Sequence, residues 1–216
     1  MGEVIFLADR CAALAAAPRP AGRLPERAFY VDLTSPFSYL DGDLIERALG
    51  DAQWRPVPPP AAALERLPAA WHELAERRAE RQRLPLTWPE NDGRECTGLH
   101  RAAAHASAQG LGAPFTMAAL RLAFSGGFDL AGPFLLEEAA AAAGLAVEAC
   151  VAAAADPRWD GPLAAARDEL TVAGLSAGPA IRIGGRWFSG ERAVGDAAAV
   201  LFGMPAAARL GVLACS

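Results

Sequence analysis

Lysine is missing from this 216-residue chain, and all 20 basic residues are arginine. Without lysine the protein cannot form a Schiff base with a carbonyl substrate, hold a phosphate through a P-loop lysine, or use a lysine as general base. The 25 acidic residues give a formal net charge of −5. This acidic balance argues against a nucleic-acid partner, which usually meets a basic patch or stripe. We therefore expect a small-molecule substrate.

Long apolar runs and paired cysteines are missing too. No stretch reaches the roughly 18 apolar residues that indicate a membrane span. The short apolar run 4–8 lies between Glu3 and Asp9, without the basic region of a signal peptide. The four cysteines are scattered, with neither CxxC nor zinc spacing: Cys11, Cys96, Cys150 and Cys215. These absences predict a cytoplasmic protein with free thiols, no membrane contact and no metal site.

Two β-type segments enclose a helix in the first quarter of the chain. Residues 28–33 and 53–57 are rich in β-branched and aromatic side chains, which predicts strands. Between them, apolar residues recur at helical spacing as far as Gly50. Ser35 and Pro36 are suited to the N-cap and the first helical position, where the Ser35 hydroxyl would accept a backbone N–H. A β-α-β unit of about 30 residues predicts a parallel strand pair.

The remaining segments complete an α/β pattern. Alanine, roughly a quarter of the chain, is the strongest helix former, and Gly and Pro divide the Ala-rich region into segments. The predicted helices cover 3–17, 61–83, 97–109, 114–125, 133–143, 146–155, 161–174 and 191–202, with a further one in the tail 205–215. The segments 179–183 and 186–188 flank Gly184-Gly185, which predicts a hairpin.

This element order, β-α-β … α-β-β-α, predicts a thioredoxin-like fold with an all-helical insertion. Residues 1–27 are predicted to form an N-terminal helix and linker. Residues 28–60 and 157–204 are predicted to form the thioredoxin-like domain, and residues 61–156 the inserted helical subdomain.

Residues 29–40, Phe-Tyr-Val-Asp-Leu-Thr-Ser-Pro-Phe-Ser-Tyr-Leu, resemble the N-terminal motif of the DsbA-like superfamily. They are most similar to the branch that contains 2-hydroxychromene-2-carboxylate isomerases and kappa-class glutathione transferases. In that branch S-P-x-S replaces the redox CxxC, here Ser35-Pro36-Phe37-Ser38. Stretches at 54–57, 128–145 and 173–190 fit the same branch in the same order, so that the resemblance covers roughly residues 28–202.

The resemblance implies that Ser35 is the catalytic residue and holds the thiolate of glutathione or another low-molecular-weight thiol. The residues themselves agree with this role, because free N–H groups and the helix dipole at a helix N-terminus favour an anion. The Ser35 hydroxyl can donate a hydrogen bond to that thiolate. The alternative role for Ser35 is helix capping alone. Ser38, one turn along, is either a second polar contact to the cofactor or an ordinary helix serine.

Four further cofactor-binding residues are implied near the hairpin: Gly178, Pro179, Glu191 and Arg192. Gly178-Pro179 leads into a strand, and X-Pro bonds are where cis peptides occur. The resemblance places this cis-proline opposite residue 35, where the Gly178 backbone pairs with an extended ligand such as glutathione. Glu191 is expected to receive the γ-glutamyl amine and Arg192 to bind a carboxylate, with plain surface charge as the alternative.

Residues 88–97 depart from the pattern of the branch. The asparagine that contacts glutathione there is replaced by Cys96 or Thr97, and Asn91, the only asparagine in the chain, comes several residues early. The cofactor is therefore glutathione, another thiol or none. Cys96 and His100 lie four residues apart on a predicted helix and also suggest a nucleophile or metal pair, with no carboxylate to complete the set.

Together these features predict an isomerase or transferase that uses a thiol cofactor on a small electrophilic, aromatic substrate. Two alternatives stay open: a DsbA-like thiol–disulfide oxidoreductase, and a non-catalytic binding protein of the same fold. Relatives in this branch are often dimers, which makes a homodimer a further expectation.

Overall fold

The computed structural model describes residues 25–60, 69–91 and 96–203. Within these ranges the sheet has four strands, β1 (Arg27–Val31), β2 (Gln53–Pro56), β3 (Ala180–Ile183) and β4 (Arg186–Ser189). Their order is β2-β1-β3-β4. β1 runs parallel to β2 and antiparallel to β3, and β3 is antiparallel to β4. The predicted parallel pair and hairpin are both confirmed.

The helices lie within a few residues of their predicted positions. They are α1 (Pro36–Leu49), α2 (Ala69–Gln82), α3 (Thr97–Ala108), α4 (Gly112–Phe124), α5 (Pro133–Ala142), α6 (Val147–Ala155), α7 (Asp160–Val172) and α8 (Ala193–Leu201). The predicted helix 3–17, the segment 61–68 and the tail 205–215 lie outside the described residues. Among the helices that the structure describes, none is long and apolar enough to cross a membrane.

Side chains that alternate along β1 build a core on each face of the sheet. Phe29 and Val31 join the large apolar cluster formed with α1, α8 and the helical block, which consists of the inserted helices α2 to α6. Tyr30 packs on the other face against Leu170 of α7. Because β1 is covered on both faces, its residues are almost all apolar, as expected of an inner strand of such a sheet. This two-faced sheet, with helices inserted between β2 and α7, confirms the predicted thioredoxin-like fold.

The topology brings three distant segments to one end of the sheet. The chain leaves β1 at Asp32 and enters α1 after Ser35, while Gly178-Pro179 precedes β3, which is paired with β1. α3 packs against β2 and carries His100 to the same end. Residues from the first, middle and last parts of the chain therefore meet at the start of α1.

Candidate active site

Ser35 occupies the N-cap of α1 in an extended conformation (φ −95°, ψ 122°), and Pro36 follows at the start of the helix. Both positions agree with the prediction, but the predicted side-chain cap is wrong. Within the described residues the Ser35 hydroxyl makes no capping bond. The reason is local: the N–H of Ser38, which a serine cap normally binds, donates to the Ser35 backbone carbonyl oxygen at 3.0 Å.

The hydroxyl groups of Ser35 and Ser38 are both buried at this helix start. Ser35 is 2% exposed and Ser38 is 0% exposed. Neither hydroxyl finds a hydrogen-bond partner among residues 25–60, 69–91 and 96–203. A buried polar group without a partner costs roughly 1–3 kcal/mol. Two unused donors thus lie at a helix N-terminus, whose partial positive charge favours an anion.

The Gly178-Pro179 peptide bond is cis, as predicted. This loop approaches the end of β1 closely. A Cβ atom on Gly178 would lie 3.0 Å from the Tyr30 carbonyl oxygen and 3.3 Å from the Asp32 amide nitrogen. Glycine at this position therefore lets the loop come as close to β1 as it does. A larger residue would force one of the two backbones to move.

A cavity of about 390 Å³ opens beside the loop, between α1, α2 and the turn after β4. Its apolar wall includes Phe37 and Trp71, whose rings meet edge to face at a centroid distance of 5.1 Å. Gly178, Pro179 and Glu191 of the predicted contacts line it. The described wall does not include Ser35, Ser38 or Arg192. Arg192 is exposed at the N-cap of α8.

A buried ion pair forms the charged part of the cavity wall. Arg78 of α2 donates to the carboxylate of Asp41 on α1, and both side chains are buried. The Arg78 guanidinium also lies over the Phe37 ring, 5.9 Å from its centroid. Burial raises the pKa of Asp41 to about 6, although the neighbouring Arg78 acts in the opposite direction. The cavity thus combines aromatic walls with one fixed positive and one fixed negative group.

Glu191 is placed at the exposed rim of the same cavity. Its carboxylate accepts a hydrogen bond from Arg81, one turn beyond Arg78 on α2. More than half of each side chain in this pair is exposed. Glu191 is therefore held by a weak surface pair and not by a buried one.

Next to the start of α1, Cys96, His100 and Asp32 form a row of buried side chains. Cys96 Sγ is 3.5 Å from His100 Nδ1, and His100 Nε2 is 3.9 Å from Asp32 Oδ1. The expectation that no carboxylate completes the Cys96–His100 pair is therefore wrong. The carboxylate comes from the end of β1, far away in the sequence, and the packing of α3 on the sheet brings the two together.

The thiol of Cys96 does not have the properties of a nucleophile. Cys96 is 4% exposed, and burial, together with the Asp32 charge, raises its pKa to about 12. The Nδ1 atom that faces it is 3.1 Å from the Cys96 carbonyl oxygen, which can only accept, and we assign the ring proton to Nδ1 on this ground. A thiol without a base and without access stays protonated and inert. Cys150 is likewise free and buried. The described residues contain no group of three side chains that could hold a metal ion.

Three charged residues of the site were missed by sequence reasoning: Asp32, Asp41 and Arg78. A signal for Arg78 was available, because Trp71, Ala75 and Arg78 share one stripe of α2 at the spacing that faces a core. This stripe was hard to recognise because the neighbours of Arg78 in the chain are charged, and the composition of the segment 72–83 is that of a solvent-exposed helix.

A serine at the N-cap of α1, a cis-proline before β3 and an aromatic cavity between α1 and α2 together define a thioredoxin-like protein. The sequence profile of the DSBA-like thioredoxin domain matches residues 28–201. The chain belongs to this family. No curated protein matches it in sequence.

Solved structures with low sequence identity share the fold. A 2-hydroxychromene-2-carboxylate isomerase is 17% identical, with a TM-score of 0.60 over 75% of this chain and 87% of that chain. A probable DsbA oxidoreductase from Streptomyces coelicolor is 19% identical, with a TM-score of 0.63 over 83% and 89%. The cytosolic disulfide reductase DsbM from Pseudomonas aeruginosa, solved with glutathione, is 22% identical, with a TM-score of 0.58 over 82% and 96%.

Proposed function

We propose that this protein binds a low-molecular-weight thiol, glutathione or a close analogue, and uses it in the cytoplasm to isomerise or conjugate a small electrophilic molecule. The observation that carries the proposal is the Ser35 hydroxyl, which is buried at the start of α1 and is not used to cap the helix. A hydrogen bond from such a donor to a charged acceptor contributes about 1.5–3 kcal/mol. The helix N-terminus adds to the stabilisation of a thiolate.

The cis Gly178-Pro179 loop supports an extended, peptide-like cofactor. The loop lies against the end of β1, next to the residues that lead into Ser35. Backbone groups before a strand can pair with an extended ligand as an added strand would. Because Ser35 is buried outside the described cavity wall, a thiol that reaches it must displace part of that wall. Phe37, two residues along, is the wall residue nearest to it in the chain.

The cavity supports a small aromatic substrate. Its volume of about 390 Å³ falls in the range of roughly 300–1,000 Å³ that is common for small-molecule sites. Phe37 and Trp71 offer aromatic contacts, and Arg78 offers hydrogen-bond donors to an oxygen on the substrate. Two structural neighbours are consistent with a thiol-dependent isomerase, because one is named as an isomerase and the other was solved with glutathione.

The first test is calorimetric titration with glutathione and with S-methylglutathione, which lacks an ionisable thiol. We expect glutathione to bind, and Ser35→Ala to weaken its binding about 10- to 100-fold through the lost hydrogen bond to the thiolate. The same variant should bind S-methylglutathione as the native protein does. Ser38→Ala, which removes the second buried hydroxyl, is the matched control and shows which hydroxyl the thiol needs.

Two outcomes contradict the proposal. If neither glutathione nor other biological thiols bind, the thiol-cofactor function is wrong. If thiols bind equally well to the native protein and to Ser35→Ala, and no electrophile is turned over, the protein is a non-catalytic binding protein of the same fold.

A disulfide oxidoreductase is the other candidate, because two of the structural neighbours carry such names. The positions of the redox dithiol hold Ser35 and Ser38 here, and neither can form a disulfide. We therefore expect no reduction of insulin disulfides by the protein alone. Measurable reduction would reverse the order of the two functions.

A further inference from the structure

Asp32 and His100 face each other beside the proposed thiol site. His100 Nε2 lies 3.9 Å from Asp32 Oδ1, and both residues are buried, His100 completely and Asp32 to all but 5%. The backbone N–H of Ser35 donates to the Asp32 carbonyl oxygen at 3.1 Å. The pair is therefore adjacent to the helix start that would receive the sulfur.

The hydrogen bonds of His100 determine where its ring proton lies. Nδ1 is 3.1 Å from the Cys96 carbonyl oxygen, which can only accept, and 3.5 Å from the Cys96 sulfur; on the shorter contact we assign the ring proton to Nδ1. Nε2 is then a bare acceptor, and within the described part of the chain it has no hydrogen-bond partner. The Asp32 carboxyl can donate to Nε2 only when it is protonated. Closing the 3.9 Å distance to hydrogen-bond length needs a movement of roughly 1 Å.

Burial disfavours the charged form of both groups. It raises the pKa of Asp32 to about 6, against the two hydrogen bonds from Thr34, and it lowers the pKa of His100 to about 4. At pH 7 His100 is therefore neutral. Asp32 is then a carboxylate that takes up a proton after a small change in its surroundings.

Two other titratable or charged groups act on this pair. The Cys96 thiol keeps its proton at neutral pH, because burial raises its pKa to about 12. Arg167 of α7 acts on both Asp32 and His100. Its guanidinium, however, donates to the carbonyl oxygens of Pro58 and Pro59. Asp32 thus has no ion-pair partner among the described arginines, in contrast to Asp41.

We propose that Asp32 takes the proton of the bound thiol and that His100 holds this proton by accepting a hydrogen bond from the protonated carboxyl. The inference rests on the thiol-binding function proposed above. One S–H bond breaks and one O–H bond forms, so the negative charge moves from the Asp32 carboxylate to the sulfur at the start of α1. The total charge of the site is unchanged, and no proton has to leave the protein.

This proton transfer has a measurable signature in the pH dependence of binding. Between about pH 6.5 and 8, above the pKa of Asp32 and below that of a free thiol, the native protein exchanges no net proton on binding. Its affinity for glutathione should therefore be constant in that range. In Asp32→Asn the thiol proton must go to solvent, and the affinity of any thiolate complex should rise about tenfold per pH unit.

The experiment titrates glutathione into the native protein and Asp32→Asn across this pH range. Calorimetry in two buffers of different ionisation enthalpy counts the protons released, and the ultraviolet absorbance of the thiolate shows the state of the sulfur. The amide introduced by Asp32→Asn keeps an oxygen that can accept the two Thr34 hydrogen bonds. Asp43→Asn, the same chemical change on the outer part of α1, is the control. Titration with S-methylglutathione, which has no thiol, counts the protons that all other groups exchange on binding.

We expect thiolate absorbance with no net proton release in the native protein and in Asp43→Asn. Asp32→Asn should either release about one proton per thiolate formed or bind the thiol without forming thiolate. Release of one proton by the native protein would overturn the inference and leave the thiol function intact, and this result needs no variant. Absence of glutathione binding to the native protein would overturn the proposed function, and the inference with it.

Discussion

Asp32 and Asp41 are both buried near the start of α1, and burial raises the pKa of each to about 6, yet they meet different partners. Asp41 lies in the cavity wall against the guanidinium of Arg78. Asp32 lies next to the neutral ring of His100, at a distance too long for a hydrogen bond. One carboxylate is neutralised by a fixed cation, the other only by a proton.

The difference separates two kinds of buried charge. An ion pair at neutral pH sets two side chains against each other, and the Asp41–Arg78 pair therefore holds α2 against α1 and shapes the cavity. A carboxylate without a counter-ion changes its charge whenever its surroundings change. Such a group is suited to proton transfer, whereas the ion pair is suited to fixing the position of the cavity wall.

The largest expected effect comes from breaking the ion pair on one side. Asp41→Asn leaves the buried guanidinium of Arg78 without a counter-charge, and we expect the free energy of unfolding to fall by about 3–5 kcal/mol. Urea denaturation at pH 7 measures this loss. The double variant Asp41→Leu with Arg78→Met removes both charges and should lose far less. Equal losses in the single and double variants would show that the wall depends on shape and not on charge.

A smaller effect of opposite sign is expected at Asp32. Its pKa is raised on folding, so the folded state binds a proton between about pH 4 and 6 that the unfolded state does not, and the contribution of Asp32 to stability falls as pH rises through this window. Asp32→Asn should match the native protein near pH 4. Above pH 6 it should be more stable by about 2–3 kcal/mol, at about 1.4 kcal/mol per pKa unit.

Denaturation at several pH values from 4 to 7 gives this difference curve. His100, whose pKa is lowered, changes stability in the opposite direction in the same window, but it is present in both proteins and is removed by the subtraction. A stability difference that does not vary with pH would mean that Asp32 is not buried as a carboxylate.

The smallest effect is expected at the cavity rim. Arg81 and Glu191 are more than half exposed, and pairs of this kind contribute about 0–1 kcal/mol. Arg81→Ala should therefore leave the denaturation midpoint almost unchanged. A loss as large as that of Asp41→Asn would remove the distinction between the buried and the exposed pair on α2.

The fold was predictable because its signals are local. A strand, a Ser-Pro helix start and a second strand lie within about 30 residues, and the Gly184-Gly185 turn marks the hairpin. Both features occur as predicted. The capping role of Ser35 was not predictable in this way. The residue type and position favour a side-chain cap, but the backbone carbonyl of Ser35 takes the N–H that its hydroxyl would bind.

The charged parts of the site depend on contacts that the sequence does not show. Asp32 and His100 lie far apart in the chain, and their distance depends on how α3 packs on the sheet. Arg78 lies among charged neighbours that point to solvent, and only its position on the apolar stripe of α2 distinguishes it. Local propensity determines the helices, whereas tertiary packing decides which of their charges become buried.

The central position of β1 has a consequence for synthesis. Its neighbour β2 follows soon after it in the chain, but its other neighbour, β3, comes after the whole helical block. During translation the β3 side of β1 stays open until nearly all of the chain has left the ribosome, and long-range pairings of this kind form slowly. A prematurely ended chain would keep an apolar, unpaired strand edge that can pair with another copy. The pairing of β1 with β3, which brings Gly178 close to the segment that leads into Ser35, thus makes truncated chains prone to aggregate.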